Sequence, residues 1–131
     1  MSNVRILLAD DHPRVLDAVV RMLKPVFEIV GRERDGRALV EAAAKLQPDA
    51  IVTDISMPIL NGIEAAKRLR DSGSTSRIVF LTVHRDPDFV KACFAAGAIA
   101  YVLKARMATD LLPAIQKALV GHSSISPLDM P

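Results

Sequence analysis

Five apolar runs of strand length alternate along this chain with segments of helical period. VRILLA (4–9), EIVGRE (28–33), DAIVTD (49–54), RIVFLT (77–82) and AIAYVL (98–103) predict strands. His12-Pro13 opens a helix whose Val15, Val19, Met22 and Leu23 share one face, with Arg14, Asp17, Arg21 and Lys24 opposite, until Pro25 stops it. After Asp35-Gly36, RALVEAAAKL carries a stripe of Leu39, Ala43 and Leu46 and ends before Pro48. IEAAKRLR turns Ile63 and Ala66 inward, and SGSTS is a plain linker. Asp86-Pro87 is a cap followed by a favoured first helical residue, and DFVKACFAA closes at Gly97. A last helix is expected from about Thr109-Asp110 to Val120, with Pro113 tolerable only in or just after the first turn.

Strand and helix alternate five times, and parallel strands need crossover connections. The expected fold is therefore α/β, a three-layer sandwich with helices on both faces of a parallel sheet. The strands share one direction, so their carboxyl ends line one edge, where such sheets place ligand sites. That edge collects Asp10 and Asp11 after the first run, Asp54 after the third, Thr82 after the fourth and Lys104 after the fifth.

Each of these residues also has an ordinary reading. Asp10 and Asp11 could cap the first helix, and Thr82 and Lys104 could be a plain strand residue and a solvated lysine. Asp54 is harder to explain so, because it ends a run buried on both faces and Met57-Pro58 forces a loop rather than a helix after it. The joint placement shifts the balance. Three clustered carboxylates repel unless a cation compensates them, and a hard oxygen site suits Mg²⁺. A carboxylate held ionised there is a nucleophile toward phosphorus, with the metal and an ammonium to neutralise the equatorial oxygens. A hydroxyl such as that of Thr82 can then bind a phosphoryl oxygen and draw its loop inward.

Composition narrows the picture. The 131 residues suit one domain with an aliphatic core, 50% of them hydrophobic and few aromatic. Seventeen Lys and Arg against fifteen Asp and Glu give +2, with the basic residues scattered, so this stretch has no footprint for nucleic acid. Cys93 is the one cysteine, which excludes an internal disulfide and a cysteine-built zinc site. The N-terminus has no long apolar segment, and a cytoplasmic, soluble protein that does not engage membranes is expected. HSSISPLDMP is polar and aperiodic and reads as a linker or tail.

In ILLADDH, IVTDISMPILNGIEAAKRLR, IVFLTVH and AGAIAYVLK the sequence resembles the receiver domain of two-component response regulators, in register from about residue 3 to residue 120. The resemblance implies a flavodoxin-like sheet of five parallel strands in the order 2-1-3-4-5, an order that comes from a member of the same family and not from the periodicity of this chain. It divides the chain into a receiver over 1–120 and a linker or tail over 121–131. It further implies Asp54 as phosphoacceptor, Asp11 as a direct Mg²⁺ ligand, Asp10 as a ligand through water, and the Ser56 carbonyl as the remaining protein ligand. Lys104 matches the phosphate-pairing lysine, Thr82 the switch hydroxyl, and Tyr101 the aromatic that turns inward on activation; a half-buried strand tyrosine is its plain alternative. Ser56 and His84, each two residues past a key position, match sites that tune phosphoryl lifetime, although a solvated loop histidine fits His84 equally. Many receivers have proline where Ala105 stands, so the isomer of the Lys104-Ala105 bond is open.

The implied activity is acceptance of a phosphoryl group from a sensor histidine kinase, with the domain catalysing only its own phosphotransfer and slow dephosphorylation and so not counted an enzyme. DISMPILNGIEAAKRLR and SSISP are similar to the LuxR/NarL/FixJ-type subfamily, in which a helix-turn-helix output domain follows. DNA would then be met only through a C-terminal domain outside this stretch; a stand-alone receiver is the alternative. Dimerisation through the fourth helix, fifth strand and fifth helix, or through the first and fifth helices, fits the resemblance too. Three other classes fit less well. A haloacid-dehalogenase-type phosphohydrolase wants a second Asp where Ser56 stands, and ADDHPR lacks the glycines of a dinucleotide site. A phosphorylation-independent interaction module is the more serious rival, yet every pocket residue is present.

Overall fold

The structure is a computed structural model that describes residues 3–128. Strand β1 (Arg5–Ala9) leads into α1 (Pro13–Leu23), β2 (Glu28–Glu33) into α2 (Gly36–Leu46), and β3 (Ala50–Thr53) into α3 (Gly62–Asp71). Then β4 (Arg77–Thr82) leads into α4 (Pro87–Ala95), and β5 (Ala100–Leu103) into a 3-10 turn over Lys104–Arg106 and α5 (Met107–Leu119). The strands form one parallel sheet in the order β2-β1-β3-β4-β5, with a short sixth strand, β6 (Ser124–Ile125), added beside β5. This is the flavodoxin-like α/β fold expected from the sequence, with one strand more.

The sheet separates two apolar layers. Alternate strand residues Leu7, Ile51, Phe80 and Tyr101 pack with Leu39 of α2, Leu69 of α3 and Cys93 of α4. Their neighbours Ile6, Leu8, Val52, Val79 and Val102 pack with Leu16 and Val19 of α1 and Leu111 and Ile115 of α5. Central strands covered on both faces account for near-continuous apolar runs without alternation. The helix faces follow the sequence pattern with small rotations: Leu16, Val19 and Leu23 are the buried positions of α1, and Ala65, Ala66 and Leu69 are buried in α3 together with Gly62. Burial pushes the Cys93 thiol up to about 12, so it behaves as a small apolar residue.

Two elements depart from the sequence expectation. Helix α5 begins at Met107, not near Thr109-Asp110, because the 3-10 turn after β5 runs straight into it without a side-chain cap. Thr109 and Asp110 bond back to that turn from inside: the Thr109 hydroxyl lies 3.2 Å from the Arg106 carbonyl and Asp110 accepts from Arg106 Nε (2.8 Å). Pro113 is consequently the seventh residue of the helix, where its missing N–H deprives the Thr109 carbonyl of its usual donor.

The second departure is the stretch 121–131, read as an aperiodic linker or tail, which forms a strand not expected from the sequence. Ser124 N–H reaches the Ile99 carbonyl (3.3 Å) and Ser126 N–H the Tyr101 carbonyl (2.8 Å), so part of the tail continues the sheet. Leu128 packs onto the α2–α4 layer. The remaining tail residues 129–131 lie outside the described residues.

Candidate functional site

Four strand ends meet as the register requires. Ala9 pairs with Thr53, Thr53 with Phe80 and Thr82 with Leu103, so Asp10, Asp54, Thr82 and Lys104 stand along one edge. Asp10, Asp54 and Thr82 are buried. The Lys104 ammonium bridges the two acids, at 2.8 Å from Asp10 Oδ2 and 2.9 Å from Asp54 Oδ2. Burial is the largest single influence on Lys104 and pulls its pKa down, but the contacts with Asp10 and Asp54 together outweigh it, and the net shift is upward. The second oxygen of Asp54, Oδ1, accepts the Ile55 N–H at 2.7 Å, so both ends of this carboxylate are oriented.

Neither Asp10 nor Asp11 caps α1. The N-cap is His12, with no side-chain cap bond, and Asp10 Oδ1 instead accepts the His12 N–H at 2.9 Å. That tight turn folds the imidazole back over the acids, placing Nδ1 at 3.0 Å from Asp10 Oδ1 and 3.1 Å from Asp11 Oδ1. Asp10, Asp11, His12 and Asp54 each offer a ligand atom within 4.8 Å of the others, a grouping that could hold a metal ion. Apart from the ion pairs with Lys104 and His12, the buried oxygens Asp10 Oδ2 and Asp11 Oδ1 accept no hydrogen bond among the described residues. Carboxylate oxygens of that kind suit a hard cation such as Mg²⁺.

Beside the acids, Thr82 is fully buried and its Oγ1 accepts the His84 N–H at 3.2 Å. Tyr101 is likewise fully buried, turned inward with its hydroxyl donating to the His84 carbonyl at 2.8 Å. Burial, before the neighbouring acids, drives its phenol pKa upward, so the hydroxyl remains a donor. A half-buried strand tyrosine is therefore not what the structure contains. Ser56 Oγ lies 3.1 Å from His84 Nε2, and the His84 ring stacks on Phe89 with centroids 4.2 Å apart and planes 16° apart. His84 is thus tied at backbone and ring, unlike a solvated loop histidine.

Asp10, Asp11, Asp54, Ser56, Thr82, His84 and Lys104 lie at this edge, and Tyr101, inside β5, reaches it through its hydroxyl. Three contributors were not singled out in the sequence. His12 enters the sequence only as a helix opening; its nearness to the acids follows from the turn that Asp10 makes. Phe89 reads as one more apolar helix residue. Gly62 matters by what it lacks: a Cβ there would stand 2.0 Å from the Asp54 carbonyl oxygen, so only glycine lets α3 start this close beneath the acid. The Asn-Gly pair at the end of the loop is the signal that could have found it. The Lys104-Ala105 peptide is trans, as no peptide bond among the described residues is cis.

Residues 6–116 match the family model of the response regulator receiver domain. The nitrate/nitrite response regulator protein NarL of Escherichia coli (strain K12) is 35% identical over 131 residues, covering 96% of this chain and 61% of NarL. The transcriptional regulatory protein LiaR of Bacillus subtilis (strain 168) is 36% identical over 124 residues, covering 93% of this chain and 59% of LiaR. The chain thus spans less than two thirds of the length of these relatives. Among solved structures, a two-component response regulator of the LuxR family from Aurantimonas sp. SI85-9A1 superposes with a TM-score of 0.90 at 33% identity, covering 96% of this chain and 91% of that one. A buried acid pair bridged by a lysine at the strand ends, the sheet order and these likenesses agree: the chain belongs to the response regulator receiver domain family, of the LuxR/NarL type.

Proposed function

We propose that the domain accepts a phosphoryl group from the phosphohistidine of a sensor histidine kinase onto Asp54. The observation that carries this reading is the state of that carboxylate: buried, with Oδ1 on the Ile55 N–H and Oδ2 on the Lys104 ammonium. In the transfer an Asp54 oxygen bonds phosphorus as the P–N bond breaks, and the kinase imidazole leaves with the electron pair. Lys104 stays beside the transferred group and pairs with one of its oxygens. Asp10, Asp11, Asp54 and the Ser56 carbonyl would hold Mg²⁺, Asp10 through water. When bound, the ion neutralises charge on the phosphoryl oxygens.

After transfer, Thr82 donates its hydroxyl to a phosphoryl oxygen. Its Oγ1 also holds the His84 N–H, and the His84 carbonyl holds Tyr101, so moving Thr82 pulls the β4–α4 loop and its tyrosine together. Ser56 and His84, at the ends of neighbouring loops, tune how long the group survives. The output in this reading is transcription control through a C-terminal DNA-binding domain, as in relatives named transcriptional regulators, with a homodimer forming on phosphorylation in the cytoplasm. No helix among the described residues is long and apolar enough to cross a membrane.

Incubation with acetyl phosphate and Mg²⁺, followed by intact mass, tests the chemistry. One added phosphoryl group is expected, dependent on Mg²⁺, absent from Asp54→Asn and retained by Thr82→Ala. An unchanged mass in the parent would support a phosphorylation-independent interaction module, and labelling that persists in Asp54→Asn would move the acceptor elsewhere.

A further inference from the structure

The loops that leave β3 and β4 meet outside the acid site. Ser56 stands two residues beyond Asp54 and His84 two beyond Thr82, and the strands are paired neighbours. Their side chains close on each other through Ser56 Oγ and His84 Nε2 at 3.1 Å. The imidazole also lies face-on against Phe89, in the first turn of α4, whose start is fixed by Asp86 accepting the Asp88 N–H at 2.9 Å. Phe89 is itself half-buried against the α2–α4 apolar layer, so it offers the imidazole a firm surface. Backbone bonds to Thr82 and Tyr101 hold His84 in place, but they leave the side chain free to rotate; the stack selects the rotamer that reaches Ser56.

We infer that Phe89 is a positioning residue: by stacking on His84 it keeps the Ser56–His84 latch closed over the acid site, and the closed latch slows hydrolysis of phospho-Asp54. The inference rests on Asp54 being the acceptor. In hydrolysis a water oxygen bonds phosphorus while the bond to the Asp54 oxygen breaks. The carboxylate leaves with the electron pair, and the water proton ends on inorganic phosphate. In-line attack brings the water from the side opposite Asp54, and in this inference that side is the gap closed by the Ser56–His84 contact. An imidazole held there by Ser56 blocks that approach, and its Nε2, engaged by the hydroxyl, is not available to take the water's proton.

The test loads the whole chain with acetyl phosphate and Mg²⁺, removes the donor, and follows the decay of the phosphorylated mass. Phe89→Leu keeps an apolar side chain but no ring face, and it is expected to shorten the lifetime about two- to tenfold, the factor that an aromatic pair's worth converts to. Phe89→Tyr keeps the ring and should retain the parent lifetime. His84→Ala should shorten it as well, and the double variant Phe89→Leu/His84→Ala should decay no faster than His84→Ala alone, since both act through one contact. A readout independent of phosphate is the ring-current shift of the His84 ring protons, lost in Phe89→Leu and kept in Phe89→Tyr. Normal labelling with an unchanged decay in Phe89→Leu, equal acceleration by Phe89→Tyr, or additive effects in the double variant would overturn this inference alone. A parent that gains no phosphoryl group at all would overturn the reading of Asp54, and the latch with it.

Discussion

Lys104 and Arg106 stand two residues apart in one 3-10 turn, yet each serves a polar cluster of a different kind. Lys104 is shared between two buried carboxylates, with Asp11 and His12 close by, and two carboxylate oxygens of that cluster accept no hydrogen bond beyond their ion pairs among the described residues. Arg106 meets a carboxylate, Asp110, that is served many times over. Arg106 Nε approaches at 2.8 Å, the Ser126 hydroxyl donates at 2.7 Å, and the Thr109 hydroxyl lies at 3.0 Å. These donors, Arg106 first, hold the Asp110 carboxyl below its ordinary range, although burial opposes them. Ser126 in turn accepts the Leu103 N–H at 3.2 Å, which fastens the tail to β5. A cluster whose acids outnumber their donors is suited to binding a cation or reacting with an electrophile. One whose acid is satisfied internally is a fastening.

The contrast can be broken most forcefully at Lys104. Lys104→Met leaves Asp10 and Asp54 facing each other without a cation, which is expected to cost about 3 kcal/mol in urea unfolding without divalent ions. Millimolar Mg²⁺ should return part of that loss by binding the folded state. A variant as stable as the parent, or a loss that Mg²⁺ does not touch, would show that the cluster is no more in need of a cation than the one around Asp110.

Ser126→Ala addresses the second cluster and should act differently. It leaves the Leu103 N–H without its acceptor and removes one donor from Asp110, for an expected cost of about 1 to 2 kcal/mol. Mg²⁺ should not change that cost. pH should: the folded pKa of Asp110 lies below its unfolded value, so its stabilisation is complete above the ordinary carboxylate value of 3.8 and is lost as the pH falls through the folded value. The difference between Ser126→Ala and parent should therefore narrow in acid. A difference that responds to Mg²⁺ instead would merge the two clusters into one system.

The two regions were also unequally legible in the sequence. The acid site could be read because parallel strands buried on both faces give unbroken apolar runs, and each run points to the residue at its end. Even the Ser56–His84 contact follows from register, since both lie just beyond neighbouring strands, two residues past Asp54 and Thr82. The tail could not be read. β6 is two residues long in a polar stretch, and it exists because β5 offers an open edge and Asp110 a place for the Ser126 hydroxyl. The same bonding hid the start of α5, where Thr109 and Asp110 look like a cap but work inside the first turn. Phe89 was visible only as an apolar residue, because its partner is a loop histidine.

Backbone strain separates the regions once more, with a smaller expected effect. Among the described residues, two that are not glycine have positive φ, Gln47 at the end of α2 and Ile59 at 72°. Ile59 lies in the loop between Asp54 and α3 and is 76% exposed, so no buried contact compensates its strain. A β-branched residue in the left-handed region costs roughly 1 to 2 kcal/mol, and glycine there gives back about half of that in unfolded-chain entropy. Ile59→Gly should thus stabilise the domain by about 0.5 to 1 kcal/mol, equally with and without Mg²⁺. If the gain were absent and Mg²⁺ affinity fell instead, the left-handed turn at Ile59 would be part of what holds the Ser56 carbonyl in position, and strain in this loop would belong to the acid site rather than merely adjoin it.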